Sequence, residues 1–138
     1  MELALQNQKQ SNHYKFRAHL RLGLAAPAIL LVEAHPASQQ AHLHLLRRLN
    51  CKVDLATSGR QAIQLSKHAY DLILLDLHLP DLCSIEVSKI IKAQHQPTQV
   101  PIIALTTQAK DPKLASIDGF ITKPIAAENM ITLLTRWI

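Results

Sequence analysis

The 138 residues predict one α/β domain in which a parallel sheet is covered by helices on both faces. Three observations carry this. Short, unbroken apolar runs such as Ile29-Leu-Leu-Val32, Leu72-Ile-Leu-Leu75 and Ile102-Ile-Ala-Leu105 mark strands buried on both sides. Stretches with apolar residues at helical spacing separate them. The chain is 48% hydrophobic, only 4% aromatic and has three glycines, which suits an aliphatic core and argues against a turn-rich all-β fold.

In chain order, Ile29–Val32 is the first strand. Ser38–Leu49 follows as a helix, with Leu45, Leu46 and Leu49 on one face and Asn50 suited to a left-handed cap. Lys52–Ala56 is a short second strand. Ser58-Gly-Arg-Gln61 has the form of a capping box and opens a helix running to about His68. Leu72–Leu75 is the third strand and ends at Asp76. A helix over Leu82–Gln94 places Cys83, Val87, Ile90 and Ile91 on its apolar face, and Pro97 breaks the chain after it. Ile102–Leu105 ends at Thr106. Residues 110–116 are weakly helical at most. Gly119–Thr122 is the fifth strand and ends at Lys123-Pro124. Ala127, Ile131, Leu134 and Ile138 define a final amphipathic helix, where Trp137 serves as packing. Right-handed crossovers make the sheet doubly wound and parallel, and five strands in a chain this size favour the flavodoxin-like order 2-1-3-4-5.

Residues 1–27 form an extension or linker and residues 28–138 the domain. Net charge is +5, and Lys9, Lys15, Arg17 and Arg21 stand in the extension against a single acid, Glu2. A solvated linker explains this better than nucleic-acid binding, because no reading module follows. The run Leu22–Val32 is too short to span a membrane and lacks a cleavage site after it, so a soluble cytoplasmic domain is expected. Cys51 and Cys83 have no CxxC or zinc-like spacing and are expected as reduced thiols. No GxGxxG or Walker loop is present, so nucleotide binding is unsupported.

Open parallel sheets bind ligands beyond the carboxyl ends of their strands. Glu33 and Ala34 stand at the first of those ends, Asp76 at the third, Thr106 and Thr107 at the fourth, and Lys123 at the fifth. Paired carboxylates repel and favour a divalent cation between them. A carboxylate beside such a cation can attack phosphorus in line, while a hydroxyl and an ammonium hold the phosphoryl oxygens.

On Ile29-Leu-Leu-Val-Glu33, Asp71-Leu-Ile-Leu-Leu-Asp76-Leu-His-Leu-Pro80, Pro101-Ile-Ile-Ala-Leu-Thr106 and Phe120-Ile-Thr-Lys123-Pro124, the stretch 28–138 resembles the receiver domain of two-component response regulators. The resemblance implies that Asp76 accepts a phosphoryl group from a histidine kinase or phosphotransfer domain. It implies Mg²⁺ held by Glu33, Asp76 and the backbone carbonyl of His78. Thr106 binds the phosphoryl group, Lys123 pairs with it, Thr106 and Phe120 form the switch, and the Lys123–Pro124 peptide is cis. Such a domain phosphorylates and dephosphorylates itself and is not an enzyme in the ordinary sense.

Three departures from the family pattern stand out. Ala34 replaces the second acid of the pair, the one that ligates Mg²⁺ directly, so weak Mg²⁺ binding is expected. The chain between Thr106 and Lys123 is short, and Ser84 stands where a glycine is expected. They motivate an alternative, a degenerate receiver that docks a partner without phosphate. His35 and His78 flank the site and can replace the missing ligand, although loop histidines are the commoner case. His42 and His44 fall on different helix faces and do not share a metal.

Overall fold

The computed structural model describes residues 26–95, 99–107 and 116–138. Five strands form one sheet: β1 (Ala28–Val32), β2 (Lys52–Ala56), β3 (Leu72–Asp76), β4 (Ile102–Thr106) and β5 (Gly119–Thr122). Their order is β2-β1-β3-β4-β5, and every pairing is parallel. The flavodoxin-like arrangement expected from the alternation of runs is therefore the one adopted. β3 and β4 are buried along their whole length. The edge strand β2 is buried only at Ala56, with Val53 and Leu55 half-buried, and carries Lys52 and Asp54 outward, charges that discourage further strand pairing.

Among the described residues, four helices flank the sheet: α1 (Pro36–Arg48), α2 (Gly59–Leu65), α3 (Ser84–Gln94) and α4 (Ala127–Trp137). Alternation along the strands divides the core into two layers. Ile29, Leu31, Leu72, Leu74, Ile103 and Leu105 face α1 and α4 on one side of the sheet. Leu30, Val32, Ile73, Leu75, Ile102 and Ala104 face α2 and α3 on the other. Among the described residues, no helix is long and apolar enough to cross a membrane.

Local chemistry sets the helix ends. α1 begins two residues earlier than expected, because Pro36 takes its first turn, where a missing N–H costs nothing. Asn50 adopts φ 60°, the left-handed conformation its short side chain tolerates. The Ser58 side chain accepts from the Gln61 N–H at 3.2 Å. The Gln61 side chain, however, accepts from the Thr57 N–H at 2.7 Å, one residue before the position a capping box requires. α2 stops at Leu65, short of His68.

Two helix faces differ from expectation. In α3 the buried residues are Ser84, Val87, Ser88 and Ile91, whereas Cys83 is an exposed N-cap and Ile90 is 41% exposed. Hydroxyls take the places the apolar pattern assigned to Cys83 and Ile90, because each finds a partner. Ser84 Oγ donates to the Asp76 carbonyl at 2.7 Å, and Ser88 Oγ lies beside Ser116 Oγ. In α4 the buried residues are Met130, Ile131 and Leu134; Ala127 and Ile138, at the ends of the predicted stripe, are exposed. Trp137 packs half-buried against the core, as expected. Most of the basic extension, Pro97 and most of the weakly helical stretch before β5 lie outside the described residues.

Candidate functional site

Glu33 follows β1, Asp76 ends β3 and Lys123 follows β5, so the 2-1-3-4-5 order brings all three to one edge of the sheet. Both carboxylates are fully buried. Lys123 Nζ sits between them, 2.7 Å from Glu33 Oε1 and 3.1 Å from Asp76 Oδ2. The Lys123 N–H also donates to the Thr106 carbonyl at 2.7 Å, tying the ends of β4 and β5 together. The Lys123–Pro124 peptide is cis.

His35 completes the cluster. Its Nδ1 lies 3.3 Å from Glu33 Oε1 and 3.2 Å from Asp76 Oδ2, while its ring remains 59% exposed. Glu33, His35 and Asp76 each offer a ligand atom, and these atoms lie within 4.8 Å of one another. This is a donor cluster of the kind that binds Mg²⁺ in having two buried carboxylates at one point. It departs from that kind in having an imidazole nitrogen as the third donor.

Asp76 is held on its other side as well. The His78 N–H donates to Asp76 Oδ1 at 3.0 Å, and Ser84 Oγ holds the Asp76 carbonyl. The Asp81 carboxylate reaches across to α2, accepting from the Gly59 N–H at 2.8 Å and the Arg60 N–H at 3.1 Å. The backbone from Asp76 to Ser84 is therefore anchored at both ends.

Burial by itself pushes the Glu33 carboxyl up. The His42 imidazole, the Lys123 ammonium and the Asp76 side chain outweigh it and hold the group at about 2. His42 is 2% exposed on the inner face of α1, with Nδ1 3.6 Å from Glu33 Oε2. Neither atom has a hydrogen-bond partner among the described residues. In front of the cluster lies an open crevice of about 490 Å³, lined in part by His35, His42, His78, Thr107, Lys123 and Pro124. It is wide enough for a phosphoryl group and its hydration.

The response regulator receiver domain family matches residues 29–135. The chain belongs to this family. The histidine-protein kinase BarA of Escherichia coli K12 is 32% identical over 118 residues, which is 81% of this chain and 13% of BarA. The receiver domain of the sensor histidine kinase PA1611 from Pseudomonas aeruginosa, solved with a magnesium ion in its active-site cleft, is 34% identical. It superposes with a TM-score of 0.75 over 82% of this chain and 98% of that one. The chemotaxis protein CheY4 of Vibrio cholerae is 27% identical, with a TM-score of 0.75 over 83% of this chain and all of that one. This receiver domain thus spans about an eighth of the length of BarA.

Of the residues singled out from sequence, the structure gathers Glu33, Asp76 and Lys123 within ion-pair distance. Thr106 is 9% exposed at the end of β4, on the same edge. Phe120 is half-buried on β5 and packs in the layer of α2 and α3. Ala34 is half-buried beside Glu33 and brings no polar atom. His78 is exposed and its amide, not its ring, meets Asp76. His42 and His44 do face apart, one buried and the other exposed. Sequence reasoning missed the approach of His42 to Glu33 and the tie from Ser84. The seven-residue spacing of His35 and His42, two helical turns, is the signal that was available for the first.

Proposed function

We propose that this receiver accepts a phosphoryl group on Asp76 from the phosphohistidine of a histidine kinase or phosphotransfer domain. The observation that carries the reading is the Lys123 ammonium set between the buried carboxylates of Glu33 and Asp76 at the edge of the sheet. A carboxylate oxygen of Asp76 forms the new O–P bond as the donor's P–N bond breaks, and the departing imidazole takes a proton. Lys123, already 3.1 Å from Asp76 Oδ2, swings to the phosphoryl oxygens as charge builds on them. Thr106 binds a further phosphoryl oxygen, and its movement is read through Phe120. The His78 N–H keeps Asp76 Oδ1 in place, and the other oxygen, Oδ2, is the one beside Lys123 and His35. Glu33, Asp76 and the His78 carbonyl would hold a divalent cation, which would supply charge to offset that of the transferred group.

With Ala34 at the position of the directly ligating acid, Mg²⁺ is held weakly, by two carboxylates that Lys123 already engages. The domain, residues 28–138, acts in the cytoplasm, and residues 1–27 are a basic extension or linker. Its relatives BarA and PA1611 are histidine kinases, which supports a place in a phosphorelay. It turns over its own phosphoryl group and is not an enzyme acting on a separate substrate.

A second reading has a specific observation behind it. Ala34 removes a ligand while Lys123 and His35 cover both remaining acids, which favours a degenerate receiver that docks its partner without phosphate. Intact mass after incubation with a small phosphodonor and Mg²⁺ separates the two. The expected result is a gain of one phosphoryl group that Asp76→Asn abolishes. No gain, under conditions that label an ordinary receiver, favours the docking module.

A further inference from the structure

We propose that Glu33, His35 and Asp76 form a mixed nitrogen–oxygen metal site that takes a late first-row divalent cation such as Co²⁺ or Zn²⁺ through His35 Nδ1. His35 thus takes over as ligand from the acid that Ala34 replaces. The inference goes beyond the phosphoacceptor reading of the same crevice, for which Mg²⁺ is the ordinary ion.

Geometry is the first support. Two ligands on one tetrahedral metal with bonds of ~2.0 to 2.1 Å stand about 3.3 Å apart. His35 Nδ1 stands 3.3 Å from Glu33 Oε1 and 3.2 Å from Asp76 Oδ2. These separations lie at the long end of the hydrogen-bond range and also fit the edges of a coordination polyhedron. The position of His35 is also set in advance. It is the N-cap of α1 with extended φ −91° and ψ 119°, a conformation that the following Pro36 enforces. The backbone thus sets where the His35 side chain starts, and from there its Nδ1 reaches both acids.

Chemistry is the second. Mg²⁺ takes oxygen ligands and keeps much of its water, whereas imidazole suits zinc, cobalt and nickel. Replacing a carboxylate by alanine and offering an imidazole from the next residue moves the donor set toward the second group. A third observation concerns the back of Glu33. Glu33 Oε2 is fully buried with no hydrogen-bond partner among the described residues, and His42 Nδ1, 2% exposed and likewise unpartnered there, stands 3.6 Å from it. The oxygen offered to the metal, Oε1, is the one that accepts from Lys123 Nζ at 2.7 Å, so the cation takes the place of the ammonium at that atom. His42 is a positioning residue behind Glu33, in the manner of groups that orient metal ligands without touching the metal. With His35 more than half exposed, the crevice leaves room for water or a phosphoryl oxygen at the remaining coordination positions.

The test uses the full chain in a Cys83→Ser background, since Cys83 is an exposed thiol that binds such metals unspecifically. Co²⁺ binding is followed by its visible absorption and Mg²⁺ binding by calorimetry, both without phosphodonor. The expected result is a Co²⁺ spectrum of nitrogen–oxygen ligation, with affinity reduced about tenfold or more by His35→Asn. His44→Asn, at an exposed histidine outside the site, leaves it unchanged, and Mg²⁺ affinity changes less than about twofold in His35→Asn. Ala34→Asp raises Mg²⁺ affinity. A Co²⁺ spectrum and affinity unaltered by His35→Asn overturn the proposal, as does an equal loss of Mg²⁺ binding in that variant. Unchanged circular dichroism of the variant excludes misfolding as the cause. Phosphoryl uptake in Mg²⁺ is a separate readout, so failure here leaves the receiver reading standing and failure there leaves this one.

Discussion

At the scale of single residues, two side chains show how local contacts set chemistry. The Asp81 carboxyl lies below its usual range because the Gly59 N–H, then the Arg60 N–H, donate to its charged form. A group with a lowered folded value stabilises the fold above its unfolded value of 3.8 and ceases to do so as pH falls below it. Asp81→Asn is therefore expected to unfold at lower urea concentration than the wild type at neutral pH, and the gap is expected to narrow progressively below pH 3.8. A gap that stays constant with pH removes the assignment. The cysteines differ for the opposite reason. Burial pushes the Cys51 thiol up to about 11, so it stays protonated and shielded, whereas Cys83 is exposed at the start of α3. Brief alkylation of the folded protein followed by peptide mass mapping is expected to find the label on Cys83, with Cys51 modified only after unfolding.

At the scale of elements, α3 is the instructive case. Its periodicity read from sequence puts Ile90 and Ile91 on one buried face, yet the helix is rotated so that Ser84 and Ser88 point inward. Apolar periodicity cannot register a buried hydroxyl whose partner lies on another element, here the Asp76 carbonyl and Ser116. The rotation has a direct consequence for stability. Ile91 is fully buried and Ile90 is 41% exposed. Ile91→Ala is expected to cost about 2 to 5 kcal/mol by leaving a cavity, and Ile90→Ala about 0.5 kcal/mol or less. Equilibrium urea unfolding of the two variants decides between the observed rotation and the one expected from sequence. The strands behaved differently. β1, β3 and β4 were legible because a strand buried on both faces needs no alternation, and its run of Leu, Ile and Val is bounded by the polar residues that begin the site.

At the scale of the whole molecule, the site exists only because three strand ends meet. Glu33 and Lys123 are 90 residues apart in the chain and 2.7 Å apart in space. Removing the ammonium leaves two carboxylates buried side by side, and losing one partner of a buried charge pair typically costs about 3 to 5 kcal/mol. Lys123 is 11% exposed, so Lys123→Met is expected near the lower end of that range. Adding Asp76→Asn is expected to restore part of the loss, because one of the repelling charges is gone. Chemical denaturation of the two single variants and the double variant forms a cycle, and strict additivity would refute the coupling. The same Lys123→Met change is expected to abolish phosphoryl uptake in the mass experiment.

The sequence by itself determined the sheet, its parallel order and the edge on which chemistry gathers, because hydrophobic runs, crossover handedness and strand-end polar residues are local or nearly local properties. By its family resemblance it also marked Ala34 as a position where a metal-ligating acid is expected. The tertiary structure alone decided which side chains gather beside it. His35 reads in sequence as a loop histidine and His42 as half of an HxH on a helix. Only the packing of α1 over the end of β1 brings the first to both acids and buries the second against Glu33. Distances between side chains on separate elements depend on how those elements dock, and no spacing along the chain encodes that.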